Sequence, residues 1–360
     1  MAGIIGLATA LSEDTISQAE SCSHAIKFAC TNEREKLVLE RLYRRTEIEQ
    51  RSVVFAERES CGRTGINFFP APTCESDKGP TTAQRMVAYN EFADRLSIFA
   101  SRQALVNARV KPSEITHLIT VSCTGFAAPG FDLNLLKELP LKRSTFRTHI
   151  GYMGCHGTMN ALRVAQGFLS ANSLARILLC ATEVCSIHFQ YGNTPDDLVA
   201  NSLFADGSAA LVMSNEGGDL RYVDSASYVV ADSDDAMSWR IGNNGFTMNL
   251  SSEVPRLVEE HLPGFLEVWL RKHDLKVCDI QSWAVHPGGP RILDAVERAL
   301  QLAPDAVAES REVLAHCGNM SSPTVLFVLQ RILMREERRL PCVALAFGPG
   351  LTIEAALLTE

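Results

Sequence analysis

Three residues along the chain have the side-chain types that acyl transfer through a thioester requires, and Cys155 is the first of them. It lies in the segment HIGYMGCHG, with glycines on both sides, and a predicted helix begins directly after it. A thiol at a helix N-terminus meets the positive end of the helix dipole and free amide donors, which favour the thiolate. The alternative is a small buried cysteine, which is how most of the other cysteines are interpreted.

His286 and Asn319 are the other two candidates. His286 ends the apolar segment SWAVH and is followed by Pro287-Gly288-Gly289-Pro290, which cannot continue a sheet, so we expect it at an exposed strand end. Asn319 lies in HCGNMSSP, directly before a helical segment. Taken alone, the histidine could be structural and the asparagine could be a helix N-cap. A thiol, a base and an amide donor in one site suit acyl transfer, because the histidine and the asparagine can both stabilise an oxyanion.

The elements that must position these residues are arranged as a faint internal repeat. The strand segment HLITVSC is followed about thirty residues later by GCHGTMNALRVAQGFL, and SWAVH is followed at a similar distance by GNMSSPTVLFVLQRIL. A further repeated feature is a turn beside a strand, which occurs in both LFADGSAALVM and LAFGPGLTIEAAL. The repeat places Cys155 and Asn319 at equivalent points, so two halves facing each other would bring the candidates together. The predicted domains are residues 1–217 and 218–360, divided near NEGGDL.

Strand and helix segments alternate along the chain, which predicts an α/β fold with a buried sheet. The predicted strands are Gly3–Ala10, His117–Ser122, Arg176–Ala181, Ala209–Met213, Ser282–His286 and Cys342–Phe347. The predicted helices are Thr82–Val106, Met159–Ser170, Val254–His273, Arg291–Leu302 and Thr324–Glu337. The polar segment Ala231–Gly245 is predicted to be a loop, which Trp239 and Ile241 pack against the protein.

The composition excludes several classes of protein. The chain has 360 residues, 46% of them hydrophobic and 21% charged, which supports about two domains with a large core. Its net charge of -8 disfavours general binding to nucleic acid or anionic membranes. The N-terminus lacks a basic signal-peptide region, and no apolar run reaches the roughly 18 residues that span a bilayer. Eleven cysteines without a CxxC pair predict neither a disulfide framework nor a metal site, and they indicate a reduced, cytoplasmic protein.

Five sequence blocks resemble the type III polyketide synthases, the chalcone synthase-like family. The blocks are GCHGTMNALRVA, LFADGSAAL, WAVHPGGPRILDAVE, GNMSSPTVLFVL and AFGPGLTIEA. They occur in the family's order and with similar spacing, whereas the related ketoacyl carrier-protein synthases tend to read HQAN and GNTS at the corresponding places. The stretch WRIGNNGFTM is unlike the plant enzymes and favours a bacterial member.

The resemblance implies a fold and a reaction. The fold is the thiolase fold, two duplicated βα halves in a five-layer α-β-α-β-α arrangement, in a homodimer without metal, cofactor or acyl carrier protein. In the reaction, Cys155 accepts the acyl group of a starter acyl-CoA, and malonyl-CoA loses carbon dioxide. His286 and Asn319 stabilise the resulting enolate, which attacks the Cys155 thioester. The cycle repeats until the chain cyclises to a pyrone, resorcinol or phloroglucinol-type product.

The resemblance also implies a substrate pocket. Phe204 matches a gate between the CoA tunnel and the reaction cavity, and Met248 stands where the family has a second gate phenylalanine. The loop Gly348-Pro349-Gly350 matches the one that shapes the cyclisation pocket. Cys123, Trp239 and Ser321 fall at further pocket positions.

Two of these pocket positions depart from the plant chalcone synthases. Cys123 replaces a threonine and Trp239 replaces a glycine, so the pocket is reshaped and the substrate cannot be carried over from those enzymes. Together with Met248, Trp239 favours an aliphatic acyl-CoA starter.

The family's CoA-contacting helix resembles EREKLVLERLYRRTEIEQR. Arg41 and Arg45 match two of its basic positions, whereas Val38 stands at a third. An ordinary solvated helix face is the alternative for this segment. The segment Ala127-Ala128-Pro129 corresponds to a loop that crosses the dimer interface in relatives.

Two other enzyme classes share the three residue types. A ketoacyl synthase-type enzyme of the thiolase superfamily would perform a single condensation and depend on an acyl carrier protein. A papain-like cysteine peptidase has the same Cys-His-Asn order, but HPGGP has no explanation there. A non-catalytic binding protein on the same fold would not need all three residues.

Overall fold

The computed structural model describes residues 2–58, 64–74, 76–303, 305–335 and 339–360. Its strands are β1 (Ala2–Ala10), β2 (Thr15–Ser17), β3 (Gln50–Ser52), β4 (Ala56–Arg58), β5 (Thr64–Ile66), β6 (His117–Ser122), β7 (Phe146–Gly151), β8 (Arg176–Val184), β9 (Asp206–Ser214), β10 (Leu220–Val229), β11 (Met237–Gly242), β12 (Gly245–Leu250), β13 (Ser282–Val285), β14 (Cys342–Gly348) and β15 (Thr352–Thr359). Its helices are α1 (Gln18–Ala29), α2 (Glu33–Arg44), α3 (Thr82–Ala108), α4 (Phe131–Glu138), α5 (Gly157–Ala171), α6 (Pro195–Leu203), α7 (Val254–Leu270), α8 (Pro290–Leu300), α9 (Ala308–Cys317) and α10 (Thr324–Leu333).

The predicted strands and helices are present, with ends that differ by a few residues. Helix α7 ends at Leu270 and passes into a 3₁₀ turn at Arg271–His273, so the predicted helix to His273 is slightly too long. Helix α10 ends at Leu333. The predicted end of that helix at Glu337 lies outside the described residues, as does Cys61.

The prediction of a loop over Ala231–Gly245 is wrong, because β11 and β12 form an antiparallel hairpin there. Its pairs include Trp239 opposite Met248 and Ile241 opposite Phe246, which places these apolar side chains on one face. Gly245 closes the turn with a φ of +96°, a conformation that favours glycine. The alternation of Met237, Trp239 and Ile241 with polar residues is a strand pattern, but the preceding polar run DSDDA obscures it.

The two halves of the chain build one nine-stranded sheet with the order β13-β14-β15-β10-β1-β9-β8-β6-β7. The order β1-β9-β8-β6 in the first half matches β10-β15-β14-β13 in the second. The equivalent pairs β6–β8 and β13–β14 are both parallel, and the next pairs inward, β8–β9 and β14–β15, are both antiparallel. The halves meet where β1 pairs with β10 over Ala2–Ile4. The predicted internal repeat therefore has equivalent strands on both sides.

Three hydrophobic cores separate the layers. Helices α5 and α10 share the middle core with inward residues of both half-sheets, such as Ile177 and Ala344. The neighbouring residues Leu178 and Val343 point the other way, because successive strand residues alternate between faces. Leu178 packs with α3 and α4, whereas Val343 packs with α7 and α8. The result is the five-layer α-β-α-β-α arrangement of the thiolase fold.

Candidate active site

Cys155, His286 and Asn319 line one cavity of about 500 Å³. Cys155 lies in the 3₁₀ turn Gly154–His156 that leads into α5, and His286 directly follows β13. Asn319 lies between α9 and α10, the equivalent point in the second half. All three side chains are buried. The repeated architecture therefore brings together three residues that are far apart in the sequence.

The turn that carries Cys155 is held by the loop Gly348-Pro349-Gly350. Gly154 has a φ of +64°, and a Cβ atom there would lie 2.6 Å from Cδ of Pro349. A Cβ on Gly348 would likewise overlap the ring of His156. The two segments thus approach as closely as glycine allows, and this fixes the position of the Cys155 backbone.

His286 is fixed through its backbone and leaves its ring free. Its N–H donates to the carbonyl of Leu345 over 2.8 Å, and its carbonyl accepts from Gly288 N–H over 3.0 Å. Neither ring nitrogen has a hydrogen-bond partner among the described residues, although both are buried. Burial, with a further contribution from His156, lowers the pKa of His286 to about 3. The ring is therefore a neutral imidazole that can offer one donor and one acceptor to a bound group.

The side-chain amide of Asn319 has a fixed orientation. Its Oδ1 accepts from Ser321 N–H over 2.8 Å, and its Nδ2 donates to the carbonyl of Gly288 over 3.2 Å. One amide hydrogen remains available to a ligand. The N-cap alternative is wrong, because the residue at the N-cap of α10 is Pro323.

Burial dominates the electrostatics of Cys155. It raises the pKa of the thiol to about 12, a hydrogen bond with Ser321 lowers it, and the charge of Glu183 raises it. The predicted stabilisation of the thiolate by the helix dipole is therefore outweighed by the loss of hydration. A proton transfer from the thiol to a base in the same cavity would create both charges together, and their attraction would offset part of that cost.

Phe204 and Met248 lie between the main cavity and a second space, together with Cys155 and Met237. All four residues line the main cavity and also an inner chamber of about 30 Å³. The inner chamber is further lined by Cys123, Thr124, Gly154, Cys185, Ser238, Trp239, Ser321 and Pro349. The predicted gate and pocket residues thus meet beside Cys155, whereas Gly348 and Gly350 are outside the set of lining residues.

Trp239 fills much of the space behind the gate. Its indole N–H donates to the carbonyl of Cys123 over 3.0 Å, and its ring lies 6.2 Å from that of Phe204. His188 supports it from behind with a ring distance of 5.2 Å. The tryptophan is therefore held in one orientation and limits the depth of the inner chamber.

The mouth of the main cavity has two arginines. Arg45 lines it as predicted, whereas Arg41 is exposed and outside the lining. Arg291, at the start of α8, also lines the cavity and was missed by the sequence analysis. Its position directly after HPGGP was a usable signal. Among the described lining residues, Asp196 is the one carboxylate, so the mouth is suited to an anionic group.

Glu183 is a second residue that the sequence analysis missed. It is fully buried and accepts from Cys123 N–H at 2.9 Å, from Thr124 Oγ1 at 2.7 Å and from Ser322 Oγ at 2.7 Å. Burial raises the pKa of this carboxyl group, and these donors oppose the rise. Glu183 joins the ends of the two halves beneath the inner chamber. An acid within the apolar strand LCATEVC was the available signal.

Neither a metal site nor a membrane span is found in the described part of the chain. No group of three or more histidine, cysteine or acidic side chains there could hold a metal ion. No described helix is both long and apolar enough to cross a bilayer.

The chain matches known proteins over its whole length. Residues 1–217 match the N-terminal domain of chalcone and stilbene synthases, and residues 221–360 match the C-terminal domain. The chain is 31% identical to the alpha-pyrone synthesis polyketide synthase-like Pks18 of Mycobacterium tuberculosis, covering 99% of this chain and 91% of that protein. It is also 31% identical to the type III polyketide synthase B of Arabidopsis thaliana, covering 91% and 86%.

Solved structures agree with these sequence matches. The crystal structure of PKS-I from the brown alga Ectocarpus siliculosus superposes with a TM-score of 0.92 at 32% identity, covering 100% of this chain and 98% of that one. The type III domain of Steely1 from Dictyostelium gives a TM-score of 0.91 at 25% identity, covering 100% and 99%. The fold and cavity define a condensing enzyme of the thiolase fold. More closely, the chain belongs to the chalcone and stilbene synthase family, the type III polyketide synthases. The peptidase and ketoacyl synthase alternatives are therefore set aside.

Proposed function

We propose that Cys155 carries the growing polyketide, while His286 and Asn319 stabilise the enolate formed from malonyl-CoA. The observation that carries this proposal is that one cavity is lined by a buried thiol, a fixed amide and an imidazole whose two nitrogens have no hydrogen-bond partner among the described residues. The thiol transfers its proton to His286 as sulfur attacks the starter thioester. The thiolate of CoA leaves and accepts that proton from His286. The reaction then needs no metal or cofactor beyond its CoA thioester substrates.

The extension step uses the same three side chains. Malonyl-CoA loses carbon dioxide, and the electron pair of the broken bond becomes an enolate whose oxygen accepts hydrogen bonds from His286 and Asn319. The enolate carbon attacks the Cys155 acyl thioester, which forms the new carbon–carbon bond and releases the sulfur. Two donors fixed in position act most strongly where this negative charge develops.

We further propose an aliphatic starter and an α-pyrone product. The inner chamber of about 30 Å³ is far below the roughly 150 Å³ that encloses a benzene ring. An aromatic ring therefore has no room in this chamber, and an aliphatic chain would instead lie along the main cavity, where Leu203, Met237 and Leu250 form an apolar wall. The mycobacterial relative named for alpha-pyrone synthesis supports the pyrone among the possible products.

The experiment that tests these proposals uses purified protein, labelled malonyl-CoA and a panel of acyl-CoA starters, with products identified by mass spectrometry. We expect triketide or longer pyrones with fatty acyl-CoA starters, and none with Cys155→Ala. A preference for coumaroyl-CoA over every fatty acyl-CoA would overturn the aliphatic starter. Full activity of Cys155→Ala would overturn the assignment of the nucleophile.

We also propose that the enzyme is a homodimer formed around β7. This strand is at the edge of the sheet, and Phe146, Tyr152 and Met153 on or beside it are largely exposed. Phe126, close to the segment Ala127-Ala128-Pro129, is 62% exposed. Exposed aromatic side chains along an open strand edge are typical of a protein interface. Light scattering should show a dimer for the wild type and a monomer for Phe126→Glu combined with Tyr152→Glu.

A cytoplasmic location stays a prediction from the cysteine usage.

A further inference from the structure

A buried arginine lies beneath the gate without any place in the reaction described above. Arg51 belongs to β3, and its side chain is 5% exposed. Its Nη1 donates to the carbonyl of Asn201 over 2.9 Å and to the carbonyl of Phe204 over 2.7 Å, and its Nη2 donates to Ser21 Oγ. All three acceptors are uncharged. Tyr43 and Asp206 attract the guanidinium electrostatically, but its hydrogen bonds go to neutral oxygen atoms of Asn201, Phe204 and Ser21. Burying a cation is costly, so this arrangement calls for an explanation.

The gate backbone is held from its other side by Asn319. Asn319 N–H donates to the carbonyl of Leu203 over 3.0 Å, and Ala205 N–H donates to the carbonyl of Asn319 over 2.8 Å. The carbonyl of Leu203 is thus bound to Asn319, and the next carbonyl, that of Phe204, is bound to Arg51. The segment Leu203–Ala205 cannot turn without breaking one of these contacts.

Arg51 also packs directly against the residue before Asn319. A Cβ atom on Gly318, which has a φ of +75°, would lie 3.0 Å from Cγ of Arg51 and 2.9 Å from Cβ of Ala205. The aliphatic part of Arg51 and the gate segment therefore enclose Gly318 on two sides. One side chain contacts both the gate and the loop that carries the amide donor.

We propose that Arg51 is a positioning residue that fixes the backbone of Phe204 relative to that of Asn319. The proposal rests on the roles assigned above to those two residues. A guanidinium group suits this task, because its rigid fork reaches several acceptors at fixed angles and keeps its charge when buried. A lysine ammonium is a single point donor and cannot hold the carbonyls of Asn201 and Phe204 and the hydroxyl of Ser21 in the same geometry. Arg51 thereby couples the width of the gate to the placement of the enolate donor.

The test compares full-length wild type with Arg51→Lys in two assays, normalised to the amount of Cys155 that can be alkylated. One assay measures decarboxylation of malonyl-CoA alone, and the other measures the ratio of triketide to longer products from a fatty acyl-CoA. We expect kcat for decarboxylation to fall about tenfold or more, because small displacements of catalytic groups are costly. We expect KM for malonyl-CoA to stay within about twofold, because the cavity mouth is untouched. The product ratio should change about threefold or more as the gate becomes mobile.

Two controls separate positioning from stability. Ser21→Ala removes one acceptor of Arg51 but leaves both carbonyl contacts, so the product ratio should be unchanged. Arg85→Lys alters another fully buried arginine, which donates to the carbonyls of Pro80, Ile187 and Phe189. It should lower the unfolding temperature as Arg51→Lys does, without the fall in kcat. Arg51→Gln, which removes the buried charge, provides a second variant should the lysine form not fold.

A double-mutant cycle gives the decisive result. If Arg51 sets the product ratio through Phe204, then Arg51→Lys should have no further effect on that ratio in a Phe204→Ala background. The same ratio change in both backgrounds, or folded Arg51 variants with wild-type kcat and ratio, would overturn the proposal. A wild-type enzyme that makes no polyketide would instead count against the proposed function and leave the positioning question to the decarboxylation assay.

Discussion

At the scale of single residues, the proposed reaction depends on proton transfer between Cys155 and His286. Burial raises the pKa of the thiol and lowers that of the imidazole, so each charge alone is disfavoured in the cavity. In the proposed mechanism, the thiolate therefore depends on an imidazolium formed in the same cavity. An isolated thiol in the same cavity would have almost no reactivity near neutral pH.

We expect His286→Ala to slow alkylation of Cys155 by iodoacetamide at pH 7 by about tenfold or more, because the thiolate loses its counter-charge. The rate is measured by mass spectrometry of the peptide that contains Cys155. His24→Ala is the matched control, since this histidine packs on Phe28 and Phe189 away from the thiol. Equal alkylation rates in the His286 variant and the wild type would show that the thiolate is stabilised by other groups.

Arg291 provides a second prediction at the residue scale. It lines the cavity mouth with Arg45, and its Nη2 contacts the carbonyl of Ser252 over 3.3 Å, which leaves further donors for the phosphates of a CoA substrate. We expect Arg291→Ala to raise KM for malonyl-CoA about threefold to tenfold with little change in kcat, and to weaken the dependence of KM on salt. Arg143→Ala, which removes an exposed arginine outside the cavity, is the control. An unchanged KM would place the phosphates elsewhere.

At the scale of secondary-structure elements, the hairpin β11–β12 determines the size of the inner chamber. Trp239 and Met248 are direct cross-strand partners, so the hairpin presents both to the site as one unit. Its turn is tied to the start of α3, where Thr82 N–H donates to the carbonyl of Asn243 over 2.8 Å. A hairpin anchored at its tip is a stable wall on which single side chains can change the volume of the chamber.

Trp239→Ala should enlarge the inner chamber by most of an indole ring and shift the products toward longer polyketides or larger starters. Ile241→Ala is the matched control, because Ile241 lies two residues further along the same strand and is 64% exposed. Product lengths are compared by mass spectrometry at equal enzyme and substrate concentrations. An identical product profile for Trp239→Ala and the wild type would show that another wall limits the chain.

At the scale of the whole molecule, buried neutral histidines link stability to pH. His188 is buried between α3 and the hairpin, and its Nδ1 accepts from Phe246 N–H over 2.9 Å. Its Nε2 then donates to the carbonyl of Thr124 over 2.7 Å. Burial lowers the pKa of His188 to about 3, and the charge of Arg85 adds to this. Protonation of Nδ1 would place its N–H against the N–H of Phe246, so that two hydrogen-bond donors would face each other within the core.

Stability should therefore fall on acidification. Between the unfolded pKa of 6.5 and the folded pKa of about 3, the unfolded chain binds a proton at His188 that the native state does not. The contribution of neutral His188 to the free energy of unfolding is fully present above pH 6.5. Protonation of His188 in the unfolded chain should lower the free energy of unfolding by about 2 kcal/mol at pH 5. Urea unfolding at pH 7.5 and pH 5.0 measures the change, and His188→Gln should lose about 2 kcal/mol less than the wild type. Equal losses in both proteins would contradict the role of His188.

The repeated βα plan, the main strands and helices, and the three candidate residues that line the cavity could all be predicted from the sequence. These features depend on local patterns, such as apolar periodicity and glycines beside Cys155, which are visible in one stretch of chain. The hairpin was missed because its strand alternation is short and follows a polar run. The lining role of Arg291 and the burial of Glu183 were missed because each depends on neighbours distant in sequence.

The environment of these residues could be described only from the folded chain. Burial, not the helix dipole, sets the pKa of Cys155, since the loss of hydration depends on what the other half of the molecule covers. Nothing in the sequence around Arg51 distinguishes it from other arginines, and only the folded chain brings it to the carbonyls of Asn201 and Phe204. Local sequence specifies backbone conformation, whereas desolvation and long-range hydrogen bonds arise only when separate segments pack together.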